Sequence, residues 1–89
     1  MIVGLNRVFE HGGQQYYIQV EDLGEGHACF EVRVHVGGGV VWQKKMGYAE
    51  TLAGGLPKTE QDDAIRTAME KALHTVEAAI ARGKLLGAG

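Results

Sequence analysis

The sequence has no serine, and it contains one cysteine, one proline and one tryptophan. Nucleophilic catalysis needs a hydroxyl or thiol beside a positioned base, so the absence of serine leaves Cys29 beside His27 as the one local candidate. A single cysteine also excludes an internal disulfide, and nothing in the chain therefore requires an oxidising compartment. We expect a cytoplasmic protein.

The sequence also lacks a strong excess of one sign of charge and any long apolar run. Nine Lys and Arg residues oppose eleven Asp and Glu residues, and the net charge of −2 is too weak and too mixed to indicate a nucleic-acid partner. No apolar run approaches the roughly 20 residues that cross a bilayer, and the first residues do not resemble a signal peptide. What is present, 45% hydrophobic and 22% charged residues in a chain of 89, predicts one folded domain over 1–89 without a membrane partner.

Alternating apolar and polar residues predict four antiparallel strands within residues 2–48. The first two strands form a hairpin around Gly12–Gly13, which places Phe9 opposite Tyr16 on an apolar face. Arg7 is the one charged residue on that face of the first strand. The third strand alternates cleanly between an apolar and a polar set, namely Phe30, Val32, Val34 and Val36 against Glu31, Arg33 and His35.

Three consecutive glycines at 37–39 raise the question of a phosphate-binding loop. Such a loop leads into a helix whose N-terminus holds the anion, whereas the residues after these glycines, VVWQKKM, are typical of a strand. We therefore interpret the glycines as a turn. A three-residue loop would pair Val36 with Val40 and Val34 with Trp42, which buries Trp42, while a slip of one residue would expose it.

A connection is predicted over 49–58, because its glycines and proline argue against regular structure. A helix is then predicted over 59–83, with Thr59 as N-cap and Gly83 as the C-terminal glycine. Its apolar residues recur every three or four positions: Ile65, Met69, Ala72, Leu73, Val76 and Ile80. The predicted fold is α+β, a four-stranded antiparallel meander sheet with one long C-terminal helix packed on one face (ββββα) and a flexible tail at 84–89.

Residues that could carry chemistry do not form a recognisable set. The four histidines share neither an element nor a metal-ligand spacing. The acidic stretch VEDLGEG lacks the longer, regular ligand spacing of a calcium loop, and a polar turn explains it. Cys29 and His27 lack a third, orienting group. We assign no metal, no cofactor and no catalytic residue, and we expect that the protein is not an enzyme.

Two surfaces are candidates for binding. The polar sheet face is either a solvated face with cross-strand ion pairs or an interaction surface made by Tyr17, Gln19, Arg33, His35 and Lys45. The first strand is an edge that only Arg7 guards against pairing with another chain. Beside it, the apolar helix end at Ile80, Leu85 and Leu86 either joins a symmetric dimer or frays.

The segment from Gly13 to Gly24 carries a resemblance. Its residues Gly13, Tyr16, Gln19, Glu21, Asp22, Leu23 and Gly24 match a G-x-x-Y-x-x-Q-x-E-D-L-G core, and with this core the chain resembles a family of small bacterial domains of unknown function. This resemblance implies a compact bacterial domain and no particular activity. The helix segment TAMEKALHTVEAAI is also similar in character to the alanine-rich helix of HicB-type antitoxins, but the proline-and-cysteine turn typical of those proteins is missing.

The function predicted from these observations is a non-enzymatic protein-interaction module. We expect it to be homodimeric, with a protein or a second copy of itself as partner. The alternative is a small nucleic-acid-associated or antitoxin-like regulator, although the acidic residues on the sheet make nucleic acid the less favoured partner. A thiol-dependent enzyme that uses Cys29 ranks last.

Overall fold

The computed structural model describes residues 2–85, which form an open antiparallel sheet with a long helix on one face. The sheet contains, in spatial as in chain order, β1 (Leu5–His11), β2 (Gln14–Asp22), β3 (Cys29–Val36) and β4 (Gly39–Gly47). Two helices come next in the chain, α1 (Ala49–Ala53) and α2 (Lys58–Ala81). The predicted α+β architecture, an antiparallel meander with a long C-terminal helix, is confirmed.

The first hairpin has the predicted register. Phe9 lies opposite Tyr16, and the two residues of the turn, Gly12 and Gly13, both have positive φ, at 60° and 78°. A two-residue turn of this kind twists the strands in the direction that a sheet requires, and glycine adopts its backbone angles without steric cost.

The second hairpin corrects one prediction and confirms another. Val34 lies opposite Trp42 as predicted, but Val36 lies opposite Gly39 rather than Val40, because the turn contains two residues and not three. A bulge between Val34 and His35 then absorbs the extra residue in β4 and restores the predicted pairing further along. Trp42 is consequently half-buried on the face that carries the core.

The core lies between α2 and the apolar residues of the sheet. Ile18, Val32 and Val34 are completely buried beneath the helix, and all six of the predicted apolar helix positions are buried against them. Helix α2 packs mainly on β1, β2 and β3, so that β4 lies at the margin of the covered area. We call the face of the sheet that packs against α2 the inner face, and the opposite one the outer face.

The segment predicted as an irregular connection contains helix α1, which is a correction. The buried Tyr48 precedes this helix, and its carbonyl accepts hydrogen bonds from the backbone N–H groups of Thr51 and Leu52. The glycines and the proline stand only after the last residue of α1, where Gly54 forms the C-cap. They end the helical turn without preventing it.

The start of α2 also differs from the prediction. Pro57, with extended backbone angles, is the N-cap, and its carbonyl accepts the first helical hydrogen bond from Gln61 at 2.9 Å. Thr59 therefore lies inside the first turn, where it cannot act as the N-cap, because an N-cap residue has non-helical backbone angles. No side chain caps the helix, and Lys58 pairs with Asp62 at 3.0 Å along its first turn.

The helix ends close to the predicted position. Gly83 has a φ of 68°, and the hydrogen bonds from Gly83 N–H to the Ile80 carbonyl and from Lys84 N–H to the Ala79 carbonyl make a Schellman motif. Leu85 folds back onto the core, whereas residues 86–89 of the predicted tail lie outside the described residues. Among residues 2–85, no helix combines the length and apolarity that crossing a bilayer requires.

The second turn yields a direct test of its two-residue form. Gly38 has a φ of 87°, so Gly38→Ala places a Cβ in the left-handed region and should lower the free energy of unfolding by about 1 to 2 kcal/mol. Gly39→Ala is the matched control, because a Cβ there meets only the Val36 carbonyl oxygen at an ordinary 3.9 Å. Urea unfolding measures both variants. Equal losses of stability would contradict the assigned turn.

Candidate interaction surface

The outer face carries all but one of the residues predicted to form an interaction surface. Tyr17 lies opposite His35, Gln19 lies opposite Arg33, and Lys45 lies opposite Glu31, two residues from Arg33 along β3 and therefore on the same face. The four-stranded pairing thus brings these side chains, which are distant in sequence, onto one surface. Their shared face results from the period-two alternation of β2 and β3.

Arg7 lies elsewhere. It is on the inner face of the edge strand β1, opposite the fully buried Ile18. Its guanidinium Nη1 lies 3.3 Å from Oε2 of Glu77 on α2, and the two side chains are 49% and 14% exposed. The charged residue that interrupts the apolar pattern of β1 therefore ties the edge strand to the helix instead of joining the outer surface.

Hydrogen bonds fix the middle of the outer face. The Tyr17 hydroxyl donates to Oδ1 of Asn6 at 2.9 Å, and the Gln19 amide donates to the same oxygen at 3.4 Å. On the other side of Gln19, its Oε1 lies 2.9 Å from Nε2 of His35. The Tyr17 and His35 rings lie 5.6 Å apart in a tilted arrangement. The network spans β1, β2 and β3, so these side chains are held in place before any partner arrives.

The charged end of the outer face is partly internally neutralised. Arg33 lies 2.7 Å from a carboxylate oxygen of Glu31 and 4.0 Å from one of Glu21. The two glutamates face each other directly, and Arg33 offsets the repulsion between them. Glu31 is only 9% exposed, which the alternation did not predict, since it places this residue on the wet face. At this buried position, the guanidinium of Arg33 donates to the Glu31 carboxylate.

Exposed apolar side chains concentrate in one row of the outer face. Val8 lies opposite Tyr17, Tyr17 opposite His35, and His35 opposite Val40, so the row runs through all four strands. Val8, Tyr17 and Val40 are 57%, 40% and 49% exposed. The bulge adds Val41, which is 45% exposed and stands beside Val40 opposite His35. We call this set the apolar row; it consists of four exposed apolar residues and the histidine between them, namely Val8, Tyr17, His35, Val40 and Val41.

Asp22 is the important residue that the sequence reasoning missed. This carboxylate is 4% exposed and accepts three hydrogen bonds: from the backbone N–H of Ile2 at 2.8 Å, from the N–H of Gly24 at 2.9 Å and from the Tyr48 hydroxyl at 2.5 Å. It thus joins the N-terminal segment, the β2–β3 loop and the start of α1. The bond to Gly24 is an Asx turn, and the sequence Asp-Leu-Gly was its only local signal.

Protonation of this cluster is determined by its contacts. Burial alone would raise the pKa of Asp22, but the hydrogen bonds from Tyr48, Ile2 and Gly24 outweigh burial and hold the pKa below its ordinary value of 3.8. Burial, and then the bond to Asp22, raise the pKa of the Tyr48 hydroxyl, which remains a donor. The pair is therefore a satisfied structural contact rather than an acid–base pair open to a substrate.

The other residues considered for chemistry are dispersed. Glu25, from the same acidic stretch as Asp22, pairs with Lys58 at 2.6 Å. His27 lies exposed in the β2–β3 loop, and Cys29 is half-buried at the start of β3 opposite Gly47. Among residues 2–85, no three His, Cys, Asp or Glu side chains approach closely enough to share a metal ion.

The helix end predicted as part of a dimer contact is already covered. Ile80 is 4% exposed, and Leu85 packs against the same core, while Leu86 lies outside the described residues. In the described part of this end, Ile80 is therefore covered and Leu85 is half-buried. Among the described residues, the apolar row is the larger exposed apolar surface.

No family model, no curated protein and no solved structure matches this chain. The resemblances inferred from the sequence stay predictions, and any functional assignment therefore rests on the geometry of the surface.

Asp22→Asn tests the buried cluster. The substitution replaces one carboxylate oxygen, which accepts a hydrogen bond, by an amide nitrogen, which is itself a donor. Two donors then face each other, so we expect the free energy of unfolding at pH 7 to fall by about 1 to 3 kcal/mol. The control is Glu21→Gln, on the exposed neighbour. Because the folded pKa of Asp22 is lowered, its contribution to stability is complete above about pH 3.8 and is lost as the pH falls through the folded value. Urea unfolding at pH 7 and pH 3 should show a smaller difference for Asp22→Asn than for wild type.

Proposed function

We propose that this chain is a non-enzymatic, cytoplasmic protein-interaction module that forms a homodimer through the outer face of its sheet. The observation that carries the proposal is the apolar row, which concentrates exposed valine and tyrosine side chains across the full width of one uncovered face. Exposed apolar residues that cluster in this way mark interaction sites, whereas scattered ones need no explanation.

The surroundings of the row also fit an interface. Tyr17 presents both an apolar ring and a hydroxyl, and its hydrogen bond to Asn6 fixes the ring orientation. A side chain that is already ordered loses less conformational freedom when a partner binds. The Arg33, Glu31 and Glu21 group then lies beside the row as a polar rim, which is the usual arrangement around an apolar interface centre.

The size of the face sets the expected strength of the dimer. Four strands about 4.8 Å apart and about eight residues long make a face of about 19 by 27 Å, or about 500 Å². Two such faces bury about 1,000 Å² in total, which is at the lower limit for a specific interface. We therefore expect a dimer that forms at micromolar concentrations and dissociates on dilution.

Two competing functions receive less support. A nucleic-acid partner would need several free cations spread over the sheet, but Arg33 on the outer face is engaged by two carboxylates and the chain carries a net charge of −2. A thiol-dependent enzyme would need a base beside Cys29, but His27 lies exposed in the β2–β3 loop, while Cys29 is half-buried at the start of β3.

Val8→Lys tests the dimer. The substitution places a charge in the apolar row on an edge strand, where it should not disturb the core, and we expect it to convert the dimer to a monomer. Leu56→Lys is the matched control, since Leu56 is also an exposed apolar residue, at 44%, but lies between α1 and α2. Light scattering coupled to size exclusion reports the mass between about 10 and about 500 μM, the range expected for an interface of roughly this size. A wild-type chain that stays monomeric throughout this range contradicts the proposal.

A further inference from the structure

One helix is too narrow to cover the whole inner face. Helix α2 has a diameter of about 10 Å, whereas the sheet is about 19 Å wide. Because α2 lies over β1, β2 and β3, the inner side of β4 is left beside the flank of the helix. At the Met46–Gly47 end of β4 there is a groove of about 320 Å³, lined by Phe30, Met46, Gly47, Ala68, Lys71, Ala72 and Thr75.

The strand that borders this groove is an edge of the sheet. Nothing pairs with β4 on the side away from β3 within residues 2–85, so alternate backbone N–H and C=O groups along Gly39–Gly47 have no partner strand. On its inner face β4 presents Trp42, Lys44 and Met46 in succession, and Trp42 and Met46 are only half-buried. The β4 edge therefore has backbone groups free to form hydrogen bonds. On its inner face, a lysine stands between two apolar side chains.

The cations at this edge have no carboxylate partner in the described part of the chain. Within residues 2–85, four of the nine Lys and Arg residues have a carboxylate within 4 Å, namely Arg7, Arg33, Lys58 and Arg66. Of the other five, Arg82 and Lys84 lie at the C-terminal end of α2, and Lys44, Lys45 and Lys71 lie around the β4 edge. These three lysines lie on the inner face of β4, on its outer face and on the adjoining flank of α2. A positive charge thus surrounds one edge of a protein whose net charge is −2.

We propose that β4 and the groove beside it bind an extended, acidic segment of a partner protein, which adds to the sheet as a fifth strand. Backbone hydrogen bonds to β4 would hold the segment, as in other strand additions. Alternation then sets its side chains. On the inner face of the sheet, an apolar residue of the segment lies beside Trp42, a carboxylate beside Lys44 and an apolar residue beside Met46, where it enters the groove. On the outer face, a second carboxylate lies beside Lys45.

The same charges disfavour a second copy of this chain at β4. Two β4 strands paired about a two-fold axis near Gln43 would place Lys44 of each copy diagonal to Lys44 of the other, about 7 to 8 Å apart on one face. Like charges at this spacing repel, and edge lysines are a common protection against self-pairing. The lysines therefore select an acidic partner and reject the chain itself, and this site does not depend on the outer-face dimer.

Two peptides test the proposal. A fluorescein-labelled peptide with the central sequence Leu-Glu-Glu-Thr-Leu carries the required pattern for antiparallel addition, and Leu-Lys-Lys-Thr-Leu is its charge-reversed control. We expect fluorescence anisotropy in low salt to give at least about tenfold tighter binding for the acidic peptide, with the preference declining as salt is added. Amide chemical shifts in a ¹H–¹⁵N spectrum should change along β4 and the adjacent flank of α2.

Charge reversals on the protein complete the test. Lys71→Glu and Lys44→Glu should each weaken binding of the acidic peptide, together by about tenfold. Arg66→Glu is the matched control, since Arg66 is three helical turns before Glu77 and so lies on the β1 side of α2. If Lys44→Glu loses the dispersed spectrum of the folded protein, Lys71→Glu, on the exposed flank of α2, carries the comparison alone.

Several results would overturn the proposal. These are the absence of binding, equal binding of the two peptides, an equal effect of Arg66→Glu, or shifts confined to the outer face. Chemical shifts along β4 that change with protein concentration in the absence of peptide would also contradict the proposal, because they would show that β4 pairs with a second copy of the chain. The Val8→Lys variant should bind the acidic peptide like wild type, so failure of the dimer and failure of this site can be told apart.

Discussion

The packing of a single helix against a sheet of four strands is the constraint that determines the surfaces of this protein. The helix buries one face only, and there it covers the completely buried Ile18, Val32 and Val34. The sheet consequently keeps one face open and one strand incompletely covered. The ion pair between Arg7 and Glu77 adds a contact between the helix and β1, and β4 is the strand that the helix covers least.

The sequence was sufficient for the parts of the fold that depend on local pattern. Alternation in β2 and β3, the Gly12–Gly13 turn and the three- and four-residue spacing in α2 each determine an element from nearby residues, and all are present in the structure. The placement of Tyr17 and His35 on a shared face results from the same alternation. The hydrogen-bond partners of Tyr17 and His35 could not be predicted in this way, because they depend on how the neighbouring strands align.

The parts that could not be predicted depend on contacts between distant residues. Three glycines in a row permit several turns of different length, and the bulge that selects one of them is visible only in the pairing of β3 with β4. Within the acidic stretch, Asp22 and Glu21 are adjacent and chemically alike. The Asp-Leu-Gly sequence permits an Asx turn at Asp22, but no local signal shows that Ile2 and Tyr48, far away in the chain, both donate to this carboxylate.

The order of the strands has a consequence for how the chain reaches this structure. Each strand pairs only with its neighbour in sequence, so the meander can assemble one hairpin at a time with small loop-closure costs. The helix, by contrast, is synthesised after the four strands and must fold back over β1, with Arg7 and Glu77 separated by 70 positions. Until it docks, the valines and isoleucines of the inner face are open to water and to other nascent chains, so the newly made sheet is the stage most vulnerable to aggregation.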